Sequence, residues 1–195
     1  SHPEMPAGAA DGIIKGMYLL KDAGKPKKGE LRVQLLGSGS ILRECLAAQT
    51  LLAQDWGIGA DVWSCTSFNE LAREGQDVAR WNLLHPASEP RTSFVARQLQ
   101  EHPGPVVAST DYMKAYAEQI RAFIPSGRSY TVLGTDGFGR SDFRNRLRQH
   151  FEIDRHYIVL AALKGLADDG KLQGYKADQA IVKYGIGTEK TNPLH

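Results

Sequence analysis

Two stretches of this sequence gather the residue types that bind or react. The first is Gly134-Thr135-Asp136-Gly137-Phe138-Gly139-Arg140-Ser141-Asp142, which brings two carboxylates, a guanidinium, two hydroxyls and one aromatic ring into a single short loop. Glycines on both sides of Phe138 let the backbone turn tightly while that ring is held at a fixed place. Ser141 reads as a helix N-cap, and the carboxylate of Asp142 in the first turn complements the helix dipole. Arg140 is the most pointed charge in the chain. It would meet a carboxylate across an interface or pair internally with Asp136 or Asp142, and the internal pair is preferred. The second stretch is Gly37-Ser38-Gly39-Ser40, with the glycine and hydroxyl content of a phosphate cradle. It lacks the lysine of a P-loop and the third glycine of a dinucleotide fingerprint. A tight strand-to-helix turn accounts for it equally well.

Other chemistries find little support. The histidines at 2, 85, 102, 150, 156 and 195 make no His-x-x-His pair, which argues against a metal centre. His85, just before Pro86, reads as a loop residue. No Gly-x-Ser-x-Gly elbow is present, which argues against a serine hydrolase. Arg73, Asp77 and Arg80 fall on one side of a helix, with Gln76 and Trp81 beside them. That stripe is either a solvated amphipathic face or a subunit interface held by ion pairs.

The elements that must position these loops follow from the hydrophobic pattern. Residues 13–20, 31–36, 60–65, 105–108 and 130–133 read as strands. Helical stripes cover 41–54, 69–81, 93–101, 111–123, 141–151, 154–169 and 176–184, with Gly57, Pro103, Pro125, Gly170 and Gly185 as stops. About ten residues join the first two strands without a helix, which permits only an antiparallel pairing if those two are neighbours. The later strands alternate with helices and so run parallel. The expected fold is a three-layer α/β/α sandwich: a mostly parallel five-stranded sheet whose first strand is antiparallel. Both reactive loops would then lie at the carboxyl ends of strands, where open α/β sheets bind ligands.

Composition narrows the function classes. A formal charge of +2, from 24 basic and 22 acidic side chains over 195 residues, provides no field to recruit nucleic acid or an anionic membrane. The lysines between 21 and 28 read as a solvated turn. Cys45 and Cys65 are far from any Cys-x-x-Cys spacing and read as reduced core residues of a cytosolic protein. No apolar run approaches the roughly 18 residues of a membrane span. Residues 1–11 read as a lead-in, with Ser1-His2 as a cloning scar, and residues 12–195 as one domain cut from a longer subunit.

A resemblance sharpens this reading. The segment from Val132 through Asp142 to His150-Phe151-Glu152-Ile153-Asp154 resembles the C-terminal domain of the transketolase superfamily. The likeness is strongest to the homodimeric decarboxylating components of bacterial pyruvate dehydrogenase complexes. Ser67-Phe68-Asn69-Glu70-Leu71-Ala72-Arg73-Glu74-Gly75-Gln76-Asp77 and Arg80-Trp81-Asn82-Leu83-Leu84-His85-Pro86 agree with it. The resemblance implies a cytoplasmic bacterial enzyme that decarboxylates pyruvate with thiamine diphosphate and magnesium. It implies transfer of the acetyl group to a lipoyl-bearing dihydrolipoamide acetyltransferase. It also places the cofactor on upstream domains: Asp136-Gly137 starts like the cofactor motif, but Asn145 stands without the paired asparagines a magnesium site needs. These residues would then serve dimer packing or docking rather than chemistry, with no catalytic, cofactor or metal residue of their own. The candidate interface or cleft residues are Arg73, Asp77, Trp81, Asp136, Phe138, Arg140, Ser141 and Asp142. A transketolase and a flavodoxin-like phosphate- or nucleotide-binding module using residues 37–40 are the alternatives.

Overall fold

Strands covered on both faces need no polar alternation, and two strands of this chain behave accordingly. In the computed structural model, which describes residues 3–195, β2 (Arg32–Gly37) and β3 (Gly59–Cys65) are buried at every position. With β1 (Met17–Lys21), β4 (Val106–Ser109) and β5 (Tyr130–Leu133) they form one sheet in the order β1-β3-β2-β4-β5. The four central and distal strands are parallel, and β1 is antiparallel. Helices α2 (Leu42–Trp56), α7 (Arg155–Asp168) and α8 (Tyr175–Tyr184) cover one face, while α3 (Phe68–Leu84), α4 (Phe94–Gln100) and α5 (Lys114–Glu118) cover the other. The expected three-layer architecture is what forms.

Three details settle or differ from the sequence reading. The first two strands are not neighbours: β1 pairs with β3, setting Met17 against Cys65 and Leu19 against Trp63, while β2 lies between β3 and β4. The fully buried β2 takes the position covered from both sides, and the half-buried β1 takes the edge. Second, residues 10–15 are a helix, α1 (Ala10–Lys15), and only the remainder of the expected first strand is extended. Gly16 ends α1 with φ of 105°, and a Cβ there would come within 2.6 Å of the Ser67 carbonyl, so only glycine makes this bend. Third, the stripe at 111–123 breaks into α5 and a 3-10 turn, Arg121–Phe123. Residues 111–114 are instead drawn to the β5 loop, as described below.

Inside the layers, polar side chains are few, and two clusters hold most of their hydrogen bonds. Asp61 on β3 accepts hydrogen bonds from the Ala23 amide (2.8 Å), Gln34 Nε2 (3.1 Å) and His102 Nδ1 (2.9 Å), and Trp63 Nε1 donates to Gln34 Oε1 at 2.8 Å. Glu44, in the first turn of α2, is 3 % exposed. It accepts from Arg148 Nη1 at 2.7 Å, Arg155 Nε at 2.9 Å and the Arg155 amide at 3.1 Å. That one carboxylate therefore ties α2 to α6 (Arg144–His150) and to the start of α7, where Asp154 caps the His156 and Tyr157 amides. Burial alone would raise the Glu44 pKa, but the hydrogen bonds and charge of Arg155, with the charge of Arg148, hold it below the ordinary 4.5.

Because the folded-state value is depressed, the stabilisation by Glu44 is fully present above the ordinary carboxylate range and is lost as pH falls through the lowered value. Glu44→Gln is expected to cost about 3 kcal/mol of unfolding free energy at neutral pH, because it leaves buried guanidinium charge uncompensated. Urea unfolding checks this: the gap between variant and parent should narrow on acidification below the ordinary 4.5, and a gap independent of pH would refute the assignment.

Candidate functional site at the carboxyl end of the sheet

The parallel strands end together. In register, Gly37 of β2 lies beside Ser64 of β3 and Ser109 of β4, and Ser109 lies beside Leu133 of β5. Chain order reverses between β2 and β4, so the loops after these strands flank the crevice in which α/β sheets place ligands. Both reactive loops of the sequence open there, as expected.

The protein's own groups take up part of the crevice and leave a cavity of about 280 Å³ lined by Ser38, Thr66, Ser67, Asn69, Tyr112 and Tyr116. Asp111, just beyond β4, accepts the Ser40 amide at 3.1 Å, and its carboxylate lies against Gly39, itself at φ 54°. This carboxylate takes an amide that a phosphate cradle would aim at its ligand. Ser38 Oγ donates to Thr110 Oγ1 at 2.7 Å, with both residues buried. Gly37 serves packing: a Cβ would meet Cys45 Sγ and Leu42 Cα, each at 2.9 Å. The Gly37–Ser40 run is thus a close strand-to-helix turn.

Loop 134–142 is laced to the loop after β4. Thr135 donates its amide to the Tyr112 carbonyl (2.9 Å) and its hydroxyl to the Asp111 carbonyl (2.9 Å). Asp136 Oδ1 accepts the Lys114 amide at 2.8 Å, capping α5 from outside because Met113, at the N-cap, has no side-chain acceptor. The preferred internal pair of Arg140 is absent: it contacts neither Asp136 nor Asp142 among the described ion pairs, and its Nη2 donates to the His195 carbonyl at 3.4 Å. Ser141 does not cap the next helix, which starts later, at Arg144; Asp142 Oδ1 instead accepts the Phe143 amide at 2.6 Å. Phe143, at the N-cap of that helix, is 81 % exposed.

The second group of candidate residues lies elsewhere. Helix α3 leaves the crevice at Ser67, whose hydroxyl accepts the Glu70 amide at 3.1 Å, and carries Trp81 about 20 Å away along its axis. Arg73 makes a two-pronged contact with Glu70 (Nε to Oε2 at 3.0 Å, Nη2 to Oε1 at 2.7 Å) rather than with Asp77. Asp77 and Arg80 take part in no ion pair among the described residues. Trp81 is stacked on His85 with ring centroids 4.4 Å apart, and the Arg91 guanidinium lies 3.8 Å over its ring. The geometry separates Arg73, Asp77 and Trp81 from Asp136, Phe138, Arg140, Ser141 and Asp142.

Two features escaped the sequence reading, the Asp61–His102 pair and the Glu44–Arg148–Arg155 cluster. Each had a legible signal, a carboxylate inside an apolar run: Gly59-Ala60-Asp61-Val62-Trp63 and Ile41-Leu42-Arg43-Glu44-Cys45. A buried carboxylate must find partners, but the partners lie more than forty or a hundred residues away in sequence. Burial alone would raise the Asp61 pKa, but hydrogen bonds from His102, the Ala23 amide and Gln34 hold it below its ordinary value. Both cysteines are free and buried, and burial pushes their thiols upward, Cys45 to about 12. Neither is a thiolate nucleophile at neutral pH. Among the described residues no group of three His, Cys, Asp or Glu side chains is arranged to hold a metal, and no helix is long and apolar enough to cross a membrane.

The geometry describes an α/β domain whose own carboxylates bind the loop amides at the sheet end, and the comparisons agree on its class. The family model described as the transketolase-like TK C-terminal domain matches residues 16–154, and the chain belongs to that family. Curated relatives named pyruvate dehydrogenase E1 component, from Pseudomonas aeruginosa, Cupriavidus necator and Escherichia coli, are 59 %, 56 % and 52 % identical over 98 %, 99 % and 98 % of the chain. The chain spans 21 % of the length of each. Among solved structures, transketolase from Campylobacter jejuni superposes with a TM-score of 0.53 at 20 % identity, over 83 % of this chain and 20 % of the other. A Pichia stipitis transketolase mutant gives 0.52 at 18 %, over 99 % and 22 %. These two support the fold.

Asp111→Ala should lower stability by about 1–2 kcal/mol by releasing the Ser40 amide. Thermal or urea unfolding measures it, and an unchanged midpoint would mean that this contact is not made in solution.

Proposed function

We propose that the chain is the C-terminal portion of a pyruvate-decarboxylating subunit, and that it contributes packing and docking surfaces rather than reacting groups. The observation that carries this is the pairing of high identity with partial length: 59 % over nearly the whole chain, yet 21 % of the relative named pyruvate dehydrogenase E1 component. On this reading residues 12–195 are one domain and 1–11 its lead-in. The assembled subunit is a homodimer in the bacterial cytoplasm. It decarboxylates pyruvate and passes the acetyl group to the lipoyl arm of a dihydrolipoamide acetyltransferase. Loop residues Asp136, Phe138, Arg140, Ser141 and Asp142 face an interface or cleft, with Arg73, Asp77 and Trp81 as a second, separate face.

The residues present do not fit thiamine diphosphate with magnesium. The Ser40 amide, which a phosphate would need, already donates to Asp111, and the Lys114 amide donates to Asp136. The Asp136-Gly137 pair is followed by no second metal-binding amide, since Asn145 stands on exposed α6. We therefore assign the cofactor and metal to upstream polypeptide. The transketolase reading has 18–20 % identity behind it, against 52–59 % for the pyruvate dehydrogenase relatives.

Release of carbon dioxide from labelled pyruvate tests the division of labour. The complete subunit, supplied with thiamine diphosphate and magnesium, should turn over, and residues 1–195 alone should not. Turnover by the isolated chain would overturn the reading.

A further inference from the structure

The loop that carries Phe138 is held from two sides, although its most prominent side chain touches little. One side is the lacing to residues 111–114 already described. The other is the tail after α8. Gly137, at φ 96°, lies so close under the Pro193 carbonyl that no Cβ would fit, and Arg140 donates to the His195 carbonyl. Lys190 anchors the tail: Nζ donates to the carbonyls of Gln149 (3.0 Å) and His150 (2.6 Å) and lies 3.2 Å from Glu152 Oε1. Glu152 itself sits at φ 61°, a strained position for a residue with a Cβ.

On this fixed backbone Phe138 is 75 % exposed, and Tyr112, Met113 and Leu194, on the segments laced to it, are 63 %, 52 % and 50 % exposed. Arg140, on the same loop, and Arg144, just after it, are exposed and in no ion pair among the described residues. A rigid aromatic with an apolar surround loses little entropy on docking, and clusters of this kind mark contact surfaces.

We propose that this patch docks polypeptide lying upstream of Ser1 in the same subunit, on a surface that is apolar at its centre and carboxylate-bearing at its edge. The inference rests on the reading that the chain is one portion of a larger subunit. Two observations select this occupant. The family is a C-terminal domain, and the relatives carry about four-fifths of their length outside the matched region. In addition, the lead-in arrives at the sheet end that bears the patch. The Ile13 carbonyl accepts Thr66 Oγ1 at 2.7 Å and the Gly16 carbonyl accepts the Thr66 amide at 2.9 Å, both just beyond the carboxyl end of β3. Five strands span only about 20 Å across, so a domain attached there reaches the β4 and β5 loops without a long linker.

Photocrosslinking in the complete subunit tests the occupant, and its readout does not require catalysis. With Phe138→p-benzoylphenylalanine, irradiation should join position 138 to a peptide upstream of Ser1, in a band that keeps one subunit's mass on a denaturing gel. A band of doubled mass would assign the patch to a second copy, and an adduct with the acetyltransferase or no adduct would equally overturn the proposal. Limited trypsinolysis gives a second arm. Phe138→Ser should release the domain about fivefold faster than the parent, and Phe138→Leu at close to the parental rate; equal rates for all three would contradict docking through this ring. If the complete subunit fails to act on pyruvate while the crosslink forms upstream, the activity reading falls and the docking inference stands.

Discussion

Backbone amides beyond the end of a parallel sheet must be satisfied by something, and in this domain the chain's own carboxylates do it. Asp111 takes the Ser40 amide and Asp136 takes the Lys114 amide, while Ser38 and Thr110 close on each other between them. In a ligand-binding α/β domain these donors stay open for an anion. Here they are used to fix loops. The same contacts lace the β4 and β5 loops into a single unit and narrow the sheet end to a cavity of about 280 Å³ beside Ser38, Thr66, Ser67 and Tyr112.

The rest of the structure supports that unit from behind. Glu44 joins α2, α6 and α7, and Arg148, which it holds, also lies 3.4 Å from the Ser40 carbonyl. The helix that follows loop 134–142 is therefore fastened to the turn that Asp111 fastens from the other side. Toward the opposite end of the strands, Asp61 collects Gln34, His102 and the Ala23 amide into a buried polar knot. Removing one member of either cluster strands the others in a medium that solvates them poorly.

The fold was largely legible because its signals are local. Apolar runs gave all five strands, and Ser93, Asp154 and Gly185 marked helix ends where the structure has them. The family likeness rested on loops whose residues sit next to one another in sequence. What sequence reasoning missed depends on distant partners. Arg140 near Asp136 and Asp142 looked like an ion pair, but Asp136 is claimed by an amide 22 residues earlier. Ser141 looked like a helix cap, yet the tail crossing over Gly137 accompanies a helix that starts later, at Arg144. Loop length leaves open whether the first two strands are neighbours; β1 is antiparallel as expected, but at the sheet edge its partner is β3. Arg73 and Asp77 share a helix side, but Glu70 competes successfully at the closer approach.

Hydrogen exchange at the Ser40 and Lys114 amides, read residue by residue in the isolated chain at neutral pH, tests most directly whether Asp111 and Asp136 hold them. Hydrogen bonds to charged acceptors should slow both on the order of tenfold or more relative to open backbone, with no further slowing when thiamine diphosphate and magnesium are added. Exchange at the open-backbone rate, or strong protection appearing only with the added cofactor, would show an open cradle awaiting its ligand and contradict the account.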